Sequence, residues 1–350
     1  MKPSRPIRFR RETVSSPMLR RDADGNFAGA AATSEIRFDP LTGRACRIIS
    51  YNMARVARPD TEALIRKSLE LNCPFCPPRV EENVPRFTPE VAPEGVIRRG
   101  RALAFPNINP YDAHGAVVVI SDRHYIALDE FTEETVLDAL LAAQAFIRGA
   151  EKADTAARYH FIAWNYLFPS GSSLIHPHLQ CNAGHYPTNY RRQAAEASRE
   201  YYEANGSNYW EDLVAAEKEA GERYIGETGN VAWLTAFAPR GRLGDIIAVF
   251  RGRVSVAELP EDDLRAFAGG LLRVFRYLDG MNILSFNMAT CSGEDGEGFR
   301  AHARITPRSH LLYSPIETSD QFYYQLVHDE NACMIPPEAA AEGIRKQFTG

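Results

Sequence analysis

Five landmarks in the first half of this chain return in the second half at a nearly constant interval. Strand-like Ala102-Leu-Ala-Phe-Pro106 is matched by Ala232-Trp-Leu-Thr-Ala-Phe-Ala-Pro-Arg240. The apolar run Gly115-Ala-Val-Val-Val-Ile-Ser121 is matched by Gly244-Asp-Ile-Ile-Ala-Val-Phe250. The helix opening at Glu130 returns at Glu258, Phe161-Ile-Ala-Trp-Asn165 returns as Ile283-Leu-Ser-Phe-Asn287, and Ile175-His176-Pro-His178 returns as Ala301-His302-Ala-Arg304. The offsets lie between 122 and 130 residues. Such a period marks two copies of one supersecondary unit, here strand-strand-helix-strand-strand. The class this predicts is α+β. Helical spacing of Val136, Leu140, Ala143 and Phe146 places the first copy's helix over 133–152, and period-2 or continuous apolar runs mark the strands. Residues 1–34 are polar and rich in glycine and alanine, and read as an irregular arm; 35–205 and 206–350 then hold one copy each, with charged helices over 187–221, broken near Gly206, as the crossover.

Charge and cysteine content narrow the classes. A net charge of −5 and a pI near 6.0 argue against a general nucleic-acid binder. No apolar run approaches the ~18 residues of a membrane span. The arginines at 8, 10, 11, 20 and 21 precede no apolar core, so no secretory signal is expected; Asp22, Asp24 and the glycine-alanine run favour a draped arm over an organelle presequence. Six cysteines in 350 residues are too sparse for a disulfide scaffold, and the expected location is the cytoplasm.

The copies differ where chemistry is concentrated. In Ser170-Gly-Ser-Ser-Leu-Ile-His176-Pro-His178-Leu-Gln180, alternate residues of an extended segment share a face, so His176, His178 and Gln180 point together. The preceding turn offers backbone N–H groups and hydroxyls, the donors a phosphate needs. An imidazole beside such a nest suits nucleophilic attack on phosphorus; a pair of surface histidines is the plainer reading. Copy two carries Arg304 where copy one carries His178, and a guanidinium is no nucleophile. One catalytic centre per chain is expected. Cys73-Pro-Phe-Cys76 is a redox dithiol, an inert packed pair or half of a zinc site, and the absence of a compact βαβ context favours zinc. Arg55 and Arg58 are either phosphate forks or solvated surface groups.

Taken together, Cys73-x-x-Cys76, Asn165-x10-His176-Pro-His178-x-Gln180, and Phe38-Asp-Pro-Leu-Thr-Gly43 followed by Arg55-x-x-Arg58-Pro59 resemble the galactose-1-phosphate uridylyltransferase family of the histidine triad superfamily, over roughly residues 35 to 340. The resemblance implies two tandem histidine-triad repeats, each an antiparallel half-barrel sheet with a packed helix, in a homodimer whose partner subunit contributes substrate contacts. It implies that His178 is the nucleophile taking a nucleoside monophosphate from a nucleotide sugar, with sugar 1-phosphate as leaving group and then acceptor, in ping-pong order. Gln180 would bind the phosphate, Gly171, Ser172 and Ser173 would cradle it, Asn165 would hold the loop or contact phosphate, Arg55 and Arg58 would face the phosphate, and Asn107 would contact the nucleotide. Tyr324 and Gln325 stand in the sugar-contacting segment. Cys73, Cys76, His124 and His176 match the ligands of a structural zinc, and no organic cofactor is implied. The sequence departs from the family pattern at Leu179, where glycine is usual, which brings it nearer the phosphorylases of the superfamily that use inorganic phosphate. Arg304 and Thr290-Cys291 stand where a second metal site of some members has ligands, so that site is expected to be empty. Ile108 replaces an acidic residue.

Overall fold

The structure, a computed structural model, describes residues 7–49, 58, 60–294, 296–309, 311–313 and 316–349. The chain begins with a long hairpin, β1 (Arg11–Arg21) and β2 (Phe27–Phe38), followed by β3 (Ala45–Ile48). Residues 11–34 are therefore not irregular. Strands β1 and β2 pair over eleven rungs, from Arg11↔Arg37 to Arg21↔Phe27. The turn is fixed by Asp22, whose Oδ1 accepts from the backbone N–H groups of Asp24 and Asn26. β1 is exposed along its whole length, so no apolar face was selected and no alternation could mark it as a strand.

Next come α1 (Thr61–Glu70), α2 (Arg79–Glu82) and the strands β4 (Ile97–Arg99), β5 (Ala102–Pro106) and β6 (His114–Val119). α3 (Glu133–Ala153) starts where Thr132 caps the Thr135 N–H and two glutamates occupy the first turn. β7 (Tyr159–Tyr166) and β8 (His178–Gly184) complete the first unit. The crossover is α4 (Asn189–Asn205) and α5 (Tyr209–Ala220), each closed by a left-handed glycine, Gly206 and Gly221. The second unit repeats the order with β9 (Tyr224–Thr228), β10 (Val231–Thr235), β11 (Ile246–Phe250), α6 (Glu261–Gly280), β12 (Ser285–Cys291) and β13 (His302–Arg308). Each unit thus has three strands before its helix, one more than the sequence suggested. A small hairpin, β14 (Leu311–Tyr313) and β15 (Ile316–Thr318), then α7 (Tyr323–Leu326), β16 (Asn331–Cys333) and α8 (Pro337–Arg345) end the chain.

The two units build one ten-stranded antiparallel sheet, in the order β4-β5-β6-β8-β7-β12-β13-β11-β10-β9. Each first-unit strand has its second-unit counterpart at the mirrored position, and the two inner strands β7 and β12 join the halves. Asn287 pairs with Asn165, Phe286 with Tyr166 and Met288 with Trp164. An offset of 122 residues maps each of these rungs onto the set itself, so a local two-fold axis passes through the Asn165–Asn287 rung. From that rung, Thr306 lies opposite Asn287, while His178 falls opposite Asn165 one rung beyond Trp164↔Leu179. The ladder counterpart of His178 is therefore Thr306, two residues from the match read in the sequence. The chain runs 13 residues from Asn165 to His178 but 19 from Asn287 to Thr306, and this difference hides the register.

Helices α3 and α6 cover one face of the sheet. The shared core includes Leu140, Phe146, Trp164, Phe275 and Phe286. Gly270 in the middle of α6 is explained by this packing: a Cβ there would lie 2.0 Å from the buried Trp233 ring. On the opposite face, Phe105, Val117 and Val119 pack under α2 at one side, and Leu234, Ile247 and Val249 pack under α4 and α5 at the other. Between these flanks β8, β7, β12 and β13 present half-exposed residues, forming a groove. Among the described residues no helix is long and apolar enough to cross a membrane.

Candidate active site and metal centre

His178 stands at the groove, at the first position of β8, with only 7% of its surface exposed. Its Nδ1 lies 2.9 Å from the His176 carbonyl, which fixes Nδ1 as the N–H donor and leaves Nε2 with its lone pair. Burial lowers its pKa, and the carbonyl contact only partly opposes that, so the ring is neutral at pH 7. The Phe75 ring packs edge-on against His178 at 5.2 Å and against His176 at 6.1 Å. Gln180 is two residues further on the same face, and its amide has no hydrogen-bond partner among the described residues.

The loop before β8 is held largely by the second unit. The Ser170 N–H donates to Ser285 Oγ at 3.2 Å. Asn287 Nδ2 donates to both Asn165 Oδ1 at 2.7 Å and the Ser170 carbonyl at 2.8 Å. Asn287 Oδ1 in turn accepts from Arg308, which forms a bidentate pair with Asp320. Gly171 has φ +90° and open space about it, Ser172 turns inward to the Leu174 carbonyl at 2.6 Å, and Ser173 is exposed. Asn287, Arg308, Asp320 and Phe75 were not singled out in the sequence. The match of Asn287 to Asn165 was the signal for the first, and the position between the two cysteines for the last.

Other expected site residues lie apart from this cluster. Asn107 follows β5, where its Oδ1 accepts from the Asn109 N–H. Arg58 pairs with Asp279 at the end of α6 at 2.8 Å. Arg55 lies outside the described residues. Tyr324 stacks under Arg47, and Gln325 accepts from the Phe322 N–H, both beside β16.

Cys73, Cys76, His124 and His176 converge, their four ligand atoms all within 4.8 Å of one another. The Cys76 thiol lies 3.2 Å from His124 Nδ1 and 3.5 Å from His176 Nδ1, and Cys73 lies 3.7 Å from His176 Nδ1. Ligand–ligand spacings of about 3.5 Å are what tetrahedral metal–sulfur and metal–nitrogen bonds of about 2.3 and 2.0 Å require. Each ring nitrogen pointing away is also held: His176 Nε2 by the Ser121 carbonyl at 2.8 Å, and His124 Nε2 by Ser68 Oγ at 2.7 Å. Such outer contacts orient metal-binding imidazoles. Burial and the neighbouring Cys73 push the Cys76 thiol up to about 11, while burial brings His176 down to about 4. The cluster can hold a divalent cation, and the donor set fits zinc.

In the second unit the residues at the matched positions make other contacts. His302 is stacked on Trp210 at 3.9 Å, with Nδ1 on the Arg300 carbonyl and Nε2 on the Tyr190 hydroxyl. Arg304 is ion-paired with Asp245 at 2.6 Å.

No family model matches the chain. Among solved structures, the fold matches a GalT-like protein of Arabidopsis thaliana (TM-score 0.67, 18% identity, 89% of this chain and 98% of that one). It also matches an ADP-glucose phosphorylase of the same plant with bound ADP-glucose (TM-score 0.66, 18% identity, 89% and 99%), and a uridylyltransferase (TM-score 0.64, 20% identity, 90% and 98%). The chain has the α+β fold of these GalT-like, phosphorylase and uridylyltransferase structures. In sequence it is 33% identical over 316 residues to an uncharacterized protein of Archaeoglobus fulgidus, covering 89% of this chain and 92% of that protein. It belongs to the same family as that archaeal protein.

Proposed function

We propose that this protein is a nucleotidyltransferase that moves a nucleoside monophosphate between a nucleotide sugar and a sugar 1-phosphate through a covalent nucleotidyl-His178. The observation that carries this reading is the buried, neutral His178, with Nδ1 donated to a backbone carbonyl and Nε2 directed to the groove. Nε2 attacks the α-phosphorus, the bond to the bridging oxygen breaks, and sugar 1-phosphate leaves. The ring becomes cationic at that moment, and the His176 carbonyl supports its N–H. A phosphate oxygen of the acceptor then attacks phosphorus, the P–N bond breaks, and neutral His178 is restored. Gln180, whose amide has no partner among the described residues, can bind a non-bridging phosphoryl oxygen, and the 170–173 turn offers further donors. A zinc held by Cys73, Cys76, His124 and His176 would anchor the segment one pleat from the nucleophile, and positioning of this kind is worth several kcal/mol. In a homodimer, which the resemblance implies, Tyr324 and Gln325 would serve a neighbouring subunit's site.

Leu179 favours a second reading, in which inorganic phosphate is the acceptor and the enzyme is a nucleotide-sugar phosphorylase of the ADP-glucose type. Intact-protein mass spectrometry with a panel of nucleotide sugars tests the shared step. A gain of one nucleoside monophosphate, absent in His178→Ala, supports it, and the mass names the base. Chasing the adduct with sugar 1-phosphate or inorganic phosphate separates the two acceptors. The absence of both an adduct and donor consumption with the native protein would overturn the proposal.

A further inference from the structure

A cavity of about 600 Å³ opens in the groove beyond the catalytic row, between β12, β13 and the start of α4. Its size is that of a small-molecule site. Tyr159, Phe161, Tyr186 and Tyr190 wall it, and Arg191, Arg240 and Arg304 reach it. Nothing in the reaction derived above uses these residues.

The charges in this cavity do not cancel. Arg191 has Glu294 at 3.4 Å. Arg304 has Asp245, but its Nε–H is buried with no hydrogen-bond partner among the described residues. Asp245 itself is saturated: its two oxygens accept from the N–H groups of Arg240 and Gly241, from Arg304 and from the Thr306 hydroxyl. It has nothing left for the Arg240 guanidinium, which lies over the Tyr190 ring at 4.4 Å and has no carboxylate within 4.0 Å among the described residues. On the far rim Asp112 is turned to three backbone N–H groups of its own neighbourhood, Ala113, His185 and Tyr186. The result is one uncompensated cation and one unpaired buried donor, facing aromatic walls. A guanidinium fork is suited to phosphate, and aromatic walls suit a flat ring.

We infer that this cavity is a second binding site, for a small organic phosphate with a flat ring, of the nucleoside monophosphate class, its phosphate on Arg240 and Arg304 and its ring among Tyr159, Phe161 and Tyr186. The site communicates with the catalytic row. Gln180, Ala163, Ala289 and Arg304 are successive rungs of one row across four strands. Three strand spacings separate the two ends, about 14 Å. The two residues between are alanines, so the floor is open. The inference stands on the cavity and its charges, not on the role of His178.

Calorimetric titration of the full-length protein with AMP tests it, with adenosine as control and with Arg240→Gln, Ala289→Phe and His178→Ala beside the native chain. Arg240→Gln removes the free cation, and Ala289→Phe fills the floor without touching charge. The expected result is a class of AMP site in the native protein that weakens tenfold or more in both cavity variants, persists in His178→Ala, and does not take adenosine. A site lost only in His178→Ala overturns the inference and leaves the nucleotidyl-transfer reading standing. AMP binding unchanged in both cavity variants, or no binding at all, also overturns it.

Discussion

The two units share a strand order and a sheet, yet each is pinned in a different way. The first holds its active strand through two cysteines and two histidines around a space of metal-ion size. The second is tied to the small sheet of β1, β2, β3 and β16 by charge: Glu338 receives both Arg37 and Arg223 at 2.7 and 2.8 Å, and Arg223 also meets Glu217 in full burial. At the equivalent ladder position one unit presents an imidazole and the other Thr306, committed to Asp245. Duplication gave two frames; reactive groups stand in one, while the other supports it through Asn287 and Arg308 and keeps a cationic cavity.

Four tests break or sharpen that contrast. The largest effect is expected from His178→Ala, which lowers turnover roughly 10⁴-fold or more and removes the mass adduct; Thr306→Val, its counterpart, leaves turnover near the native value in a steady-state assay. Next, elemental analysis of the native protein is expected to give one zinc per chain, and Cys76→Ser is expected to lose it and to lower Tm by on the order of 5 °C or more. His302→Gln keeps zinc at one per chain, because His302 is not part of that cluster. Third, Asn165→Ala and Asn287→Ala share a single rung. Asn287→Ala also frees the Ser170 carbonyl and the Arg308 guanidinium. It costs about 1–3 kcal/mol in chemical denaturation, and more of kcat than of KM, since it loosens the loop before the nucleophile. Asn165→Ala costs less by the same assay.

The smallest effect is a pH limb. Burial alone would raise the Glu338 carboxyl, but hydrogen bonds from Arg37 and Arg223 outweigh it and hold it at about 2, below its ordinary 4.5. A depressed folded-state pKa contributes stability that is present above pH 4.5 and lost as pH falls towards 2. Part-exposed as it is, the contribution is on the order of 1–2 kcal/mol. Glu338→Gln should flatten stability measured between pH 5 and 3, and an unchanged slope would remove Glu338 as the source.

Much of this contrast was legible in the sequence, because packing and chemistry both leave periodic or local marks. The continuous apolar runs at 115–121 and 244–250 signalled buried strands, and they lie in the interior of the sheet. The glycines at 206 and 221 closed their helices where a left-handed residue was needed. The Cys-x-x-Cys pair and the His-Pro-His run were visible, and the structure brings Cys73, Cys76, His124 and His176 together. What the sequence hid depends on register or on exposure. The two-residue slip between His178 and Thr306 is set by loop geometry, which no alignment of landmarks resolves. The β1–β2 hairpin buries no face, so it carries no alternation. Arg240 follows a proline after β10, and only the saturation of Asp245 by other donors shows that it has no carboxylate partner among the described residues.

The join between the halves has a consequence for how the protein is made. Strand β7 lies in the middle of the finished sheet, but it is synthesised 122 residues before the β12 rung that covers it. At about 5–20 residues per second, that gap lasts roughly 6–24 seconds. Throughout it the nascent first unit displays a bare strand edge, and any neighbouring nascent copy on the same message displays an identical one. Correct closure is then a race between a tethered strand still being made and an untethered one already present, and crowded polysomes favour the second.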